Sequence, residues 1–292
     1  MDHKDFLASL PPEVRAGLTL RSNRDGLWHL ALHFGAILVT TTLIALKIPF
    51  WPVLLPVQGI LIVFLFTLEH ETTHKTPFAN ATLNDWVGRL CGLLILLPFT
   101  WFRYFHLAHH RWTNIAGRDP ELANDKPATP RQWLWHVSGL PYWLSQIRLI
   151  LTLAVNRPAA EYIPATALPL ARREARLMLA LYALAGLTIP IHLLWTLWLL
   201  PILIGQPALR LYLLAEHGDC PRVANMFENT RTTFTTGLIR FLAWNMPYHT
   251  EHHVFPAVPY HRLPDLHRLM KAELRVTAQG YAAFTKAYLK RL

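Results

Sequence analysis

Long stretches without charged residues constrain this chain more than any other feature. Residues 26–46 contain no Asp, Glu, Lys or Arg, and residues 48–68 repeat the pattern after the single Lys47. Residues 177–209 form a third, longer charge-free run. Because a helix needs roughly 20 apolar residues to cross a bilayer, these runs predict an integral membrane protein.

The composition supports the same class. Charged residues make up only 16% of the chain and hydrophobic residues 52%, whereas soluble domains carry about 25% charged residues. This balance argues against a soluble enzyme and against a disordered chain. The two cysteines, Cys91 and Cys220, exclude a disulfide scaffold and a thiolate-ligated cluster. We attribute the net charge of +10 to contact with anionic lipid headgroups, since no motif predicts nucleic-acid binding.

We predict an all-α integral membrane fold with about four transmembrane helices in two hairpins, interfacial helices and a cytosolic histidine-rich cap. The four predicted spans cover residues 26–46, 48–68, 175–195 and 197–216. The predicted division of the chain is a cytosolic N-terminal segment at 1–25, a membrane domain at 26–270 and a cytosolic tail at 271–292.

Two further apolar stretches predict helices at the membrane surface. Residues 90–102 are too few to cross a bilayer, and residues 133–155 mix aromatic side chains with cations. Lys and Arg concentrate in the first 25 residues and in segment 69–176 rather than in the two predicted turns. The positive-inside tendency therefore predicts that both termini and the histidine-rich segments are cytoplasmic.

Nine of the sixteen histidines fall in four places near the predicted cytoplasmic ends of the spans. They are His70 and His74 in HETTH, His106, His109 and His110 in HLAHH, His217 in EHG, and His249, His252 and His253 in HTEHH. Residues spaced i, i+3 and i+4 share one face of a helix, so each box presents its imidazoles on one side. Nine convergent imidazoles are too many for one tetrahedral zinc and enough for two metal ions.

The ligand type and the membrane location together predict which metal is bound. Imidazole suits zinc, copper, iron and nickel. A site beside apolar substrate points to attack on an unactivated C–H bond, which needs O2 and a redox-active metal, and zinc has no redox chemistry. Two irons meet this need, and neutral imidazoles distinguish the set from soluble carboxylate di-iron bundles.

The remaining histidines receive other roles. His29 and His33 lie four residues apart in the first span, but one span offers no further ligands, so we predict packing or interfacial roles for them. The others are predicted as follows: His192 as a packed or pore-facing residue, and His136, His261 and His267 as surface residues.

At its histidine boxes the sequence resembles the membrane-bound fatty acid desaturase superfamily, which includes acyl desaturases, related hydroxylases and carotenoid ketolases. The likeness covers about residues 25–270 and extends to the turn at 117–120 and the segment at 256–264. It implies four spans, a cytosolic cap, a non-haem di-iron centre and O2 as co-substrate. It also implies two electrons from a separate carrier such as ferredoxin or cytochrome b5. It implies that the eight histidines of the three boxes are iron ligands and that His217 is the additional ligand.

Polar residues near the boxes are candidates to orient the imidazoles, because a ligating ring usually donates its other N–H to a carboxylate or a carbonyl. The candidates are Glu71, Asp119, Glu216 and Glu251, with Glu69, Asn114 and Asn245 as further possibilities. Aromatic residues that flank the boxes are predicted either to line an acyl tunnel or to anchor the chain at the interface. They are Trp101, Phe102, Phe105, Trp112, Phe241 and Trp244.

The leading hypothesis is O2-dependent di-iron oxidation of an unactivated C–H bond in a lipid or acyl substrate, most simply fatty acyl desaturation. The close alternative is a lipid or terpenoid hydroxylase, or a carotenoid ketolase, acting at the same site. A metal transporter and a zinc hydrolase are the alternatives outside this class. Transport is disfavoured because the spans hold few ionisable residues besides His29, His33 and His192.

Overall fold

A computed structural model describes residues 2–123, 125–157 and 160–292. This part of the chain is almost entirely helical. The helices are α1 His3–Ser9, α2 Pro12–Leu18, α3 Asn23–Ala45, α4 Leu54–Val63, α5 Leu65–Thr73, α6 Ala81–Ile95, α7 Phe99–Trp112, α8 Pro130–Val137, α9 Leu140–Ala154, α10 Leu168–Thr188, α11 Ile191–Leu194, α12 Leu200–His217, α13 Met226–Asn229, α14 Gly237–Leu242, α15 His249–Val254, α16 Leu263–Met270 and α17 Tyr281–Leu289.

Short segments complete the described structure. Single 3-10 turns cover Trp51–Val53, Pro120–Ala123, Tyr260–Arg262 and Lys271–Glu273, and a π-helical turn at Trp195–Leu199 joins α11 to α12. Two strands of two residues each, β1 Thr232–Thr233 and β2 Thr277–Ala278, pair in parallel with Thr232 opposite Thr277. This pairing ties the segment between α13 and α14 to the segment before α17.

Three helical segments are long and apolar enough to cross a membrane: Pro12–Ala45, Trp51–Thr73 and Ile191–His217. The pair α6 and α7 passes the same test as a fourth segment, but its two axes are bent by 101° at the break between them. The predicted all-α membrane class is therefore confirmed. We predicted about four spans, and the described residues contain three candidate spans, or four if the bent pair counts as one.

Helix α10 occupies much of the third predicted span, residues 175–195. It starts earlier, at Leu168, and its first turns carry Arg172, Arg173, Glu174 and Arg176. The segment is interrupted at Pro190, where the proline ring cannot continue the helix. Helix α10 is not among the three candidate spans, so a crossing by residues 175–195 stays a prediction, as does the division at residues 25 and 270.

Both expected surface helices are interrupted in the structure. Residues 133–155 are divided between α8 and α9, with Gly139 in a left-handed conformation between them. We expected a single helix over residues 90–102, but α6 ends at Ile95 and α7 begins at Phe99. Leu96 adopts a left-handed conformation with φ of 61°. Leu97 precedes Pro98, and the residue before a proline disfavours the helical region, so the chain turns here.

Helices α4 and α12 cross with their backbones in contact. This crossing determines where the histidines that follow α4 and that end α12 lie relative to one another along the spans. A Cβ atom on Gly59 would lie 1.9 Å from the carbonyl oxygen of Pro201, and one on Gly205 would lie 2.3 Å from the carbonyl carbon of Gly59. Only glycine permits this approach. The close crossing aligns α5, which carries His70, with the end of α12, which carries His217.

Glu174 on α10 joins three helices beneath the cap. Its carboxylate accepts hydrogen bonds from the backbone N–H of Thr100 at 2.8 Å, the Thr100 hydroxyl at 2.7 Å and Arg89 Nε at 2.7 Å. A buried carboxylate is stable only with such partners. The network fixes the start of α7, which carries three of the clustered histidines.

Candidate metal centre

Five histidines from three separate segments form the first group of a buried cluster. Their ligand nitrogens all lie within 4.8 Å of one another. The group contains His70 and His74 from the end of α5, His106 and His110 from α7, and His252 from α15. His74 Nε2 lies 2.8 Å from His106 Nε2, and His252 Nε2 lies 3.2 Å from His110 Nε2. The i, i+4 spacing within HETTH and HLAHH places each pair on one helix face.

A second group joins α7, α12 and α15. It consists of His109, His217 and His253, whose nitrogens also lie within 4.8 Å of one another. His109 Nε2 lies 3.2 Å from His217 Nε2. His249 is outside both groups by that criterion, yet its Nε2 lies 3.0 Å from His217 Nε2. The structure thus brings all nine predicted histidines into one cluster with two centres.

The cluster is buried apart from the half-buried His74, and several of its ring nitrogens have no protein partner among the described residues. Neither nitrogen of His70 has a hydrogen-bond partner among the described residues, and the same is true of Nδ1 in His110 and Nε2 in His253. Unsatisfied buried polar atoms are rare in native proteins and call for a ligand or ion. Facing Nε2 atoms with free lone pairs repel each other unless a cation lies between them. These nitrogens therefore fit metal ions.

Burial also keeps His74, His249, His252 and His253 in the neutral form that binds metal. It lowers the pKa of His74 to about 3, with a smaller contribution from the nearby Arg103. Burial first, and neighbouring imidazoles second, lower the pKa of His249, His252 and His253 well below the ordinary histidine range. A neutral ring offers its lone pair to a metal without first losing a proton.

Asp119 orients one ring of the second group, as predicted from its place near HLAHH. His109 Nδ1 donates to the Asp119 carboxylate, with distances of 2.9 and 3.1 Å to its two oxygens. The carboxylate also accepts from the backbone N–H groups of Asn114 at 2.7 Å and Glu121 at 2.9 Å. Because Nδ1 carries the proton, the His109 Nε2 lone pair is free to face His217.

Two polar residues beside the second group were missed by sequence reasoning. His217 Nδ1 donates to the backbone carbonyl of Asn229 at 3.1 Å, and the Thr113 hydroxyl lies 3.2 Å from His253 Nδ1. The Asn229 amide donates to the backbone carbonyl of Thr113 at 3.0 Å, and Asn114 donates to that of Asn229 at 2.8 Å. Asn229 contributes a backbone carbonyl, which every residue carries, and Thr113 lies 140 residues from His253, so only the fold reveals these contacts.

Two of the predicted acidic residues lie beside cluster rings. Glu71 Oε1 is 3.3 Å from His252 Nδ1, and Glu216 Oε1 is 3.3 Å from His249 Nδ1. The second oxygen of Glu71 accepts from the Thr76 hydroxyl at 3.1 Å and from the backbone N–H of Tyr260 at 3.1 Å. Glu69 is turned away, since its carboxylate packs against Gly92 on α6.

Glu251 and Asn245 do not meet a cluster imidazole through any hydrogen bond within the described ranges. Glu251 lies on the face of α15 opposite the histidines, where it accepts from the Thr232 hydroxyl at 2.6 Å and contacts His267. Asn245 donates to the carbonyl of Tyr260 at 3.0 Å. It cannot share a helix face with His249, because α15 begins only at His249.

The expectation that His136, His261 and His267 are surface residues is wrong. All three are half-buried. The His267 ring lies against Tyr248, with ring centres 4.8 Å apart, and its Nδ1 reaches the fully buried Glu251. The helical spacing of α16 alone did not predict that His267 of this helix faces Glu251 of α15.

His29 and His33 have the packing roles that we predicted. His33 Nε2 pairs with the carbonyl of Leu61 at 2.9 Å, while its Nδ1 accepts from Trp244 Nε1 at 3.2 Å. The His29 ring stacks on Trp244, with centres 4.0 Å apart, and its Nε2 pairs with the carbonyl of Phe241 at 2.8 Å. Both rings join the first span to the cap.

Comparison with known proteins agrees with this architecture. Residues 49–285 match the family described as fatty acid desaturase. The chain is 27% identical over 199 residues to a mouse sphingolipid delta(4)-desaturase/C4-monooxygenase DES2, a match that covers 67% of this chain and 58% of the relative.

Two other relatives have similar identities. They are a Drosophila melanogaster sphingolipid delta(4)-desaturase DES1, with 26% identity covering 78% of this chain and 68% of the relative, and a Synechocystis sn-1 acyl-lipid omega-3 desaturase (ferredoxin), with 27% identity covering 47% and 39%. The chain thus matches 39 to 58% of the length of the mouse and Synechocystis relatives. The family match spans most of the sequence, includes all nine clustered histidines and agrees with the helical membrane fold, so the chain belongs to the fatty acid desaturase family.

Proposed function

We propose that this protein is a membrane-bound oxidoreductase that introduces a double bond into the acyl or sphingoid chain of a lipid. The observation that carries the proposal is the buried cluster of nine imidazoles in two groups at the ends of candidate membrane spans. The relatives named as acyl-lipid and sphingolipid desaturases support a lipid substrate.

Two irons are the proposed occupants of the cluster. His70, His74, His106, His110 and His252 would hold one ion, and His109, His217, His249 and His253 the other. When bound, such a pair supplies the redox chemistry with O2 that removal of hydrogen from an unactivated C–H bond requires. In the balanced reaction the substrate loses two hydrogens, and O2 takes these with two electrons and two protons to give two waters.

The chain's own residues prepare the site for this chemistry. Asp119 and the Asn229 carbonyl hold the protons of His109 and His217 on Nδ1, which directs Nε2 inward. Phe66 and Phe102, with ring centres 5.3 Å apart, form an apolar wall beside His70 and His106. A dry apolar wall excludes water and favours a hydrocarbon substrate.

The electrons would come from a separate carrier, as the Synechocystis relative's printed name, which includes ferredoxin, suggests. We propose that the cluster, both termini and this donor lie on the cytoplasmic side. Lys and Arg concentrate in the first 25 residues and in segment 69–176 rather than in the two predicted turns, and this distribution favours the orientation.

Hydroxylation at the same site is the second candidate, because the name of the mouse relative joins desaturase and C4-monooxygenase activities. Mass spectrometry of lipids from cells with and without the protein separates the two reactions. Loss of two hydrogens from a lipid class supports desaturation, whereas gain of one oxygen supports hydroxylation. An unchanged lipid profile in aerated cells with an intact metal centre would contradict both.

A further inference from the structure

The acidic residues around the cluster differ in the ring nitrogen that they approach. Three of them lie near an Nδ1 atom, on the side of a ring that faces away from the cluster: Asp119, Glu71 and Glu216. Glu121 is different, because its Oε1 lies 3.9 Å from Nε2 of His109. That nitrogen also faces His217 Nε2, at 3.2 Å. In the described part of the chain, Glu121 is the acidic side chain that reaches an inward-facing nitrogen of the cluster.

The backbone of Glu121 is held by the same carboxylate that orients His109. Glu121 lies in the 3-10 turn Pro120–Ala123, and its N–H donates to Asp119 Oδ1 at 2.9 Å. That oxygen also accepts from His109 Nδ1 at 2.9 Å. Asp119 therefore fixes the His109 ring and the turn that carries Glu121 relative to each other, and the approach of Glu121 to the ring follows from this shared anchor.

A separation of 3.9 Å between Glu121 Oε1 and His109 Nε2 fits two ligands of one ion. Nitrogen and oxygen ligands lie about 2.1 Å from a bound metal, so two ligands of the same ion are at most about 4.2 Å apart. Glu121, like His249, is outside the group whose ligand atoms all lie within 4.8 Å of one another, so its carboxylate must turn further inward to bind. Its other oxygen is 3.9 Å from Lys126 Nζ, which is beyond hydrogen-bond distance, so no hydrogen bond to this lysine opposes the rotation.

The two groups of the cluster differ in the number of imidazoles that they offer. The first group has five, whereas the second has four when His249 is included. The Glu121 side chain is 33% exposed and the His109 side chain 2%, so Glu121 lies between the second group and solvent. Non-haem iron is commonly held by imidazoles together with a carboxylate. A carboxylate also offsets part of the charge of a buried cation, which neutral rings do not.

We propose that the Glu121 carboxylate is a ligand of the second metal ion, together with the imidazoles of His109, His217, His249 and His253. This inference rests on the proposed function in one respect, since it requires an ion in the second group. It makes the two ions inequivalent, because one is held by imidazoles alone and the other by imidazoles and a carboxylate. The carboxylate closes the second group on the side that solvent reaches.

Metal retention, measured without turnover, tests the assignment. The full chain, loaded with ferrous iron in detergent and kept anaerobic, is titrated with a chelator to obtain the affinity for each ion. We expect Glu121→Ala to hold one ion at least about 10-fold more weakly than the parent and the other ion equally well. Glu121→His, which offers a ligand nitrogen on a side chain of similar reach, should recover most of the lost affinity. Asp125→Asn, which changes an exposed carboxylate on the same loop, should bind both ions as the parent does.

Mössbauer spectra of the same ferrous proteins separate a ligand from a residue that only supports the loop. We expect two components of equal area in the parent and a change in only one of them in Glu121→Ala. Parent-like affinity and spectrum in Glu121→Ala would overturn the inference while leaving the di-iron proposal intact. Similar changes in both components would also overturn it, because they would indicate a general disturbance of the cluster. A parent that binds fewer than two ions would contradict the di-iron proposal as well, so the two failures are distinguishable.

Discussion

At the scale of single residues, hydrogen bonding determines which ring nitrogen of a clustered histidine faces the centre of the cluster. The nitrogen that donates its proton to an oxygen points outward, and the other nitrogen points inward. His109 and His217 each donate Nδ1–H to an oxygen, of Asp119 and of Asn229 respectively. Their Nε2 atoms consequently face each other at 3.2 Å. Asp119 was a candidate because it follows His109 by only 10 residues, but only the fold supplied the carbonyl of Asn229.

Removing the charge from Asp119 should weaken metal retention. In Asp119→Asn the amide cannot accept two hydrogen bonds from the ring and loop as the carboxylate does, so we expect about 10- to 100-fold weaker metal affinity. Competition with a chelator, followed by metal analysis, measures this. Asp125→Asn, an exposed neighbour on the same loop, should behave as the parent does. Equal affinity in both variants would contradict the assigned role.

His252→Ala should abolish product formation and lower the iron content while the protein still inserts into membranes. His252 is fully buried and its Nε2 faces His110 at 3.2 Å, so its loss removes one imidazole from the first group. The control is His192→Ala, because His192 is exposed. Metal analysis and lipid mass spectrometry are the measurements. The site assignment fails if the two variants retain equal amounts of iron.

His267→Ala should destabilise the cap, contrary to what its predicted surface position implied. The change leaves the buried Glu251 without one of its two partners, and an unpaired buried polar group costs about 1–3 kcal/mol. Unfolding of the detergent-solubilised protein measures the loss. Arg268→Ala removes only a surface ion pair on the same helix and should change stability little. A smaller loss in His267→Ala than in Arg268→Ala would refute this expectation.

At the scale of helices, the crossing of α4 and α12 sets the height of the cluster. Gly59→Ala should lower the melting temperature, because its methyl group would meet the Pro201 carbonyl oxygen at 1.9 Å and the helices must separate. Overpacking of this kind costs about 1–3 kcal/mol. Gly186→Ala in α10 is the matched control, since nothing lies within 4 Å of its added methyl group. If Gly59→Ala melts at the same temperature as Gly186→Ala, the close crossing is not present in solution.

Helix breaks were only partly predictable. The interruption of the charge-free runs at Lys47 predicted the turn between the first two spans, and α3 does end at Ala45. The break at Leu96 was missed because the hydrophobic run continues through it without a charge. Its conformation depends on how α6 packs against α5 and how α7 turns toward the cluster, which a local pattern does not contain.

At the scale of the whole molecule, the metal ions should contribute to the stability of the fold, because their ligands come from α5, α7, α12 and α15. A metal that binds only the folded state stabilises it by about 4 kcal/mol when its concentration is 1,000 times its dissociation constant. We therefore expect chelation to lower the melting temperature of the parent and to have a smaller effect on His252→Ala, which has lost a ligand of one of the two proposed ions. Restoring iron should recover both stability and activity.

Zinc is the informative comparison for this experiment. It should restore part of the stability, because imidazole binds it well, but no product formation, because zinc has no redox chemistry. Product formation by the zinc form, or activity without O2, would favour a hydrolase instead.

The sequence by itself determined the membrane class of this protein and the histidines of its candidate metal centre. Charge-free runs require a bilayer, and the i, i+3 and i+4 spacing places the imidazoles of each box on one helix face. Both are local properties, because hydropathy and helical periodicity act over neighbouring residues.

Only the tertiary structure decided which distant groups meet. It brought the boxes into two groups, paired His217 with Asn229, turned Glu251 toward His267, and left one apolar face of α9 exposed while burying another. The physical reason is that the apolar character of a residue predicts only that its side chain avoids water. Whether protein or lipid covers it depends on how the helices cross.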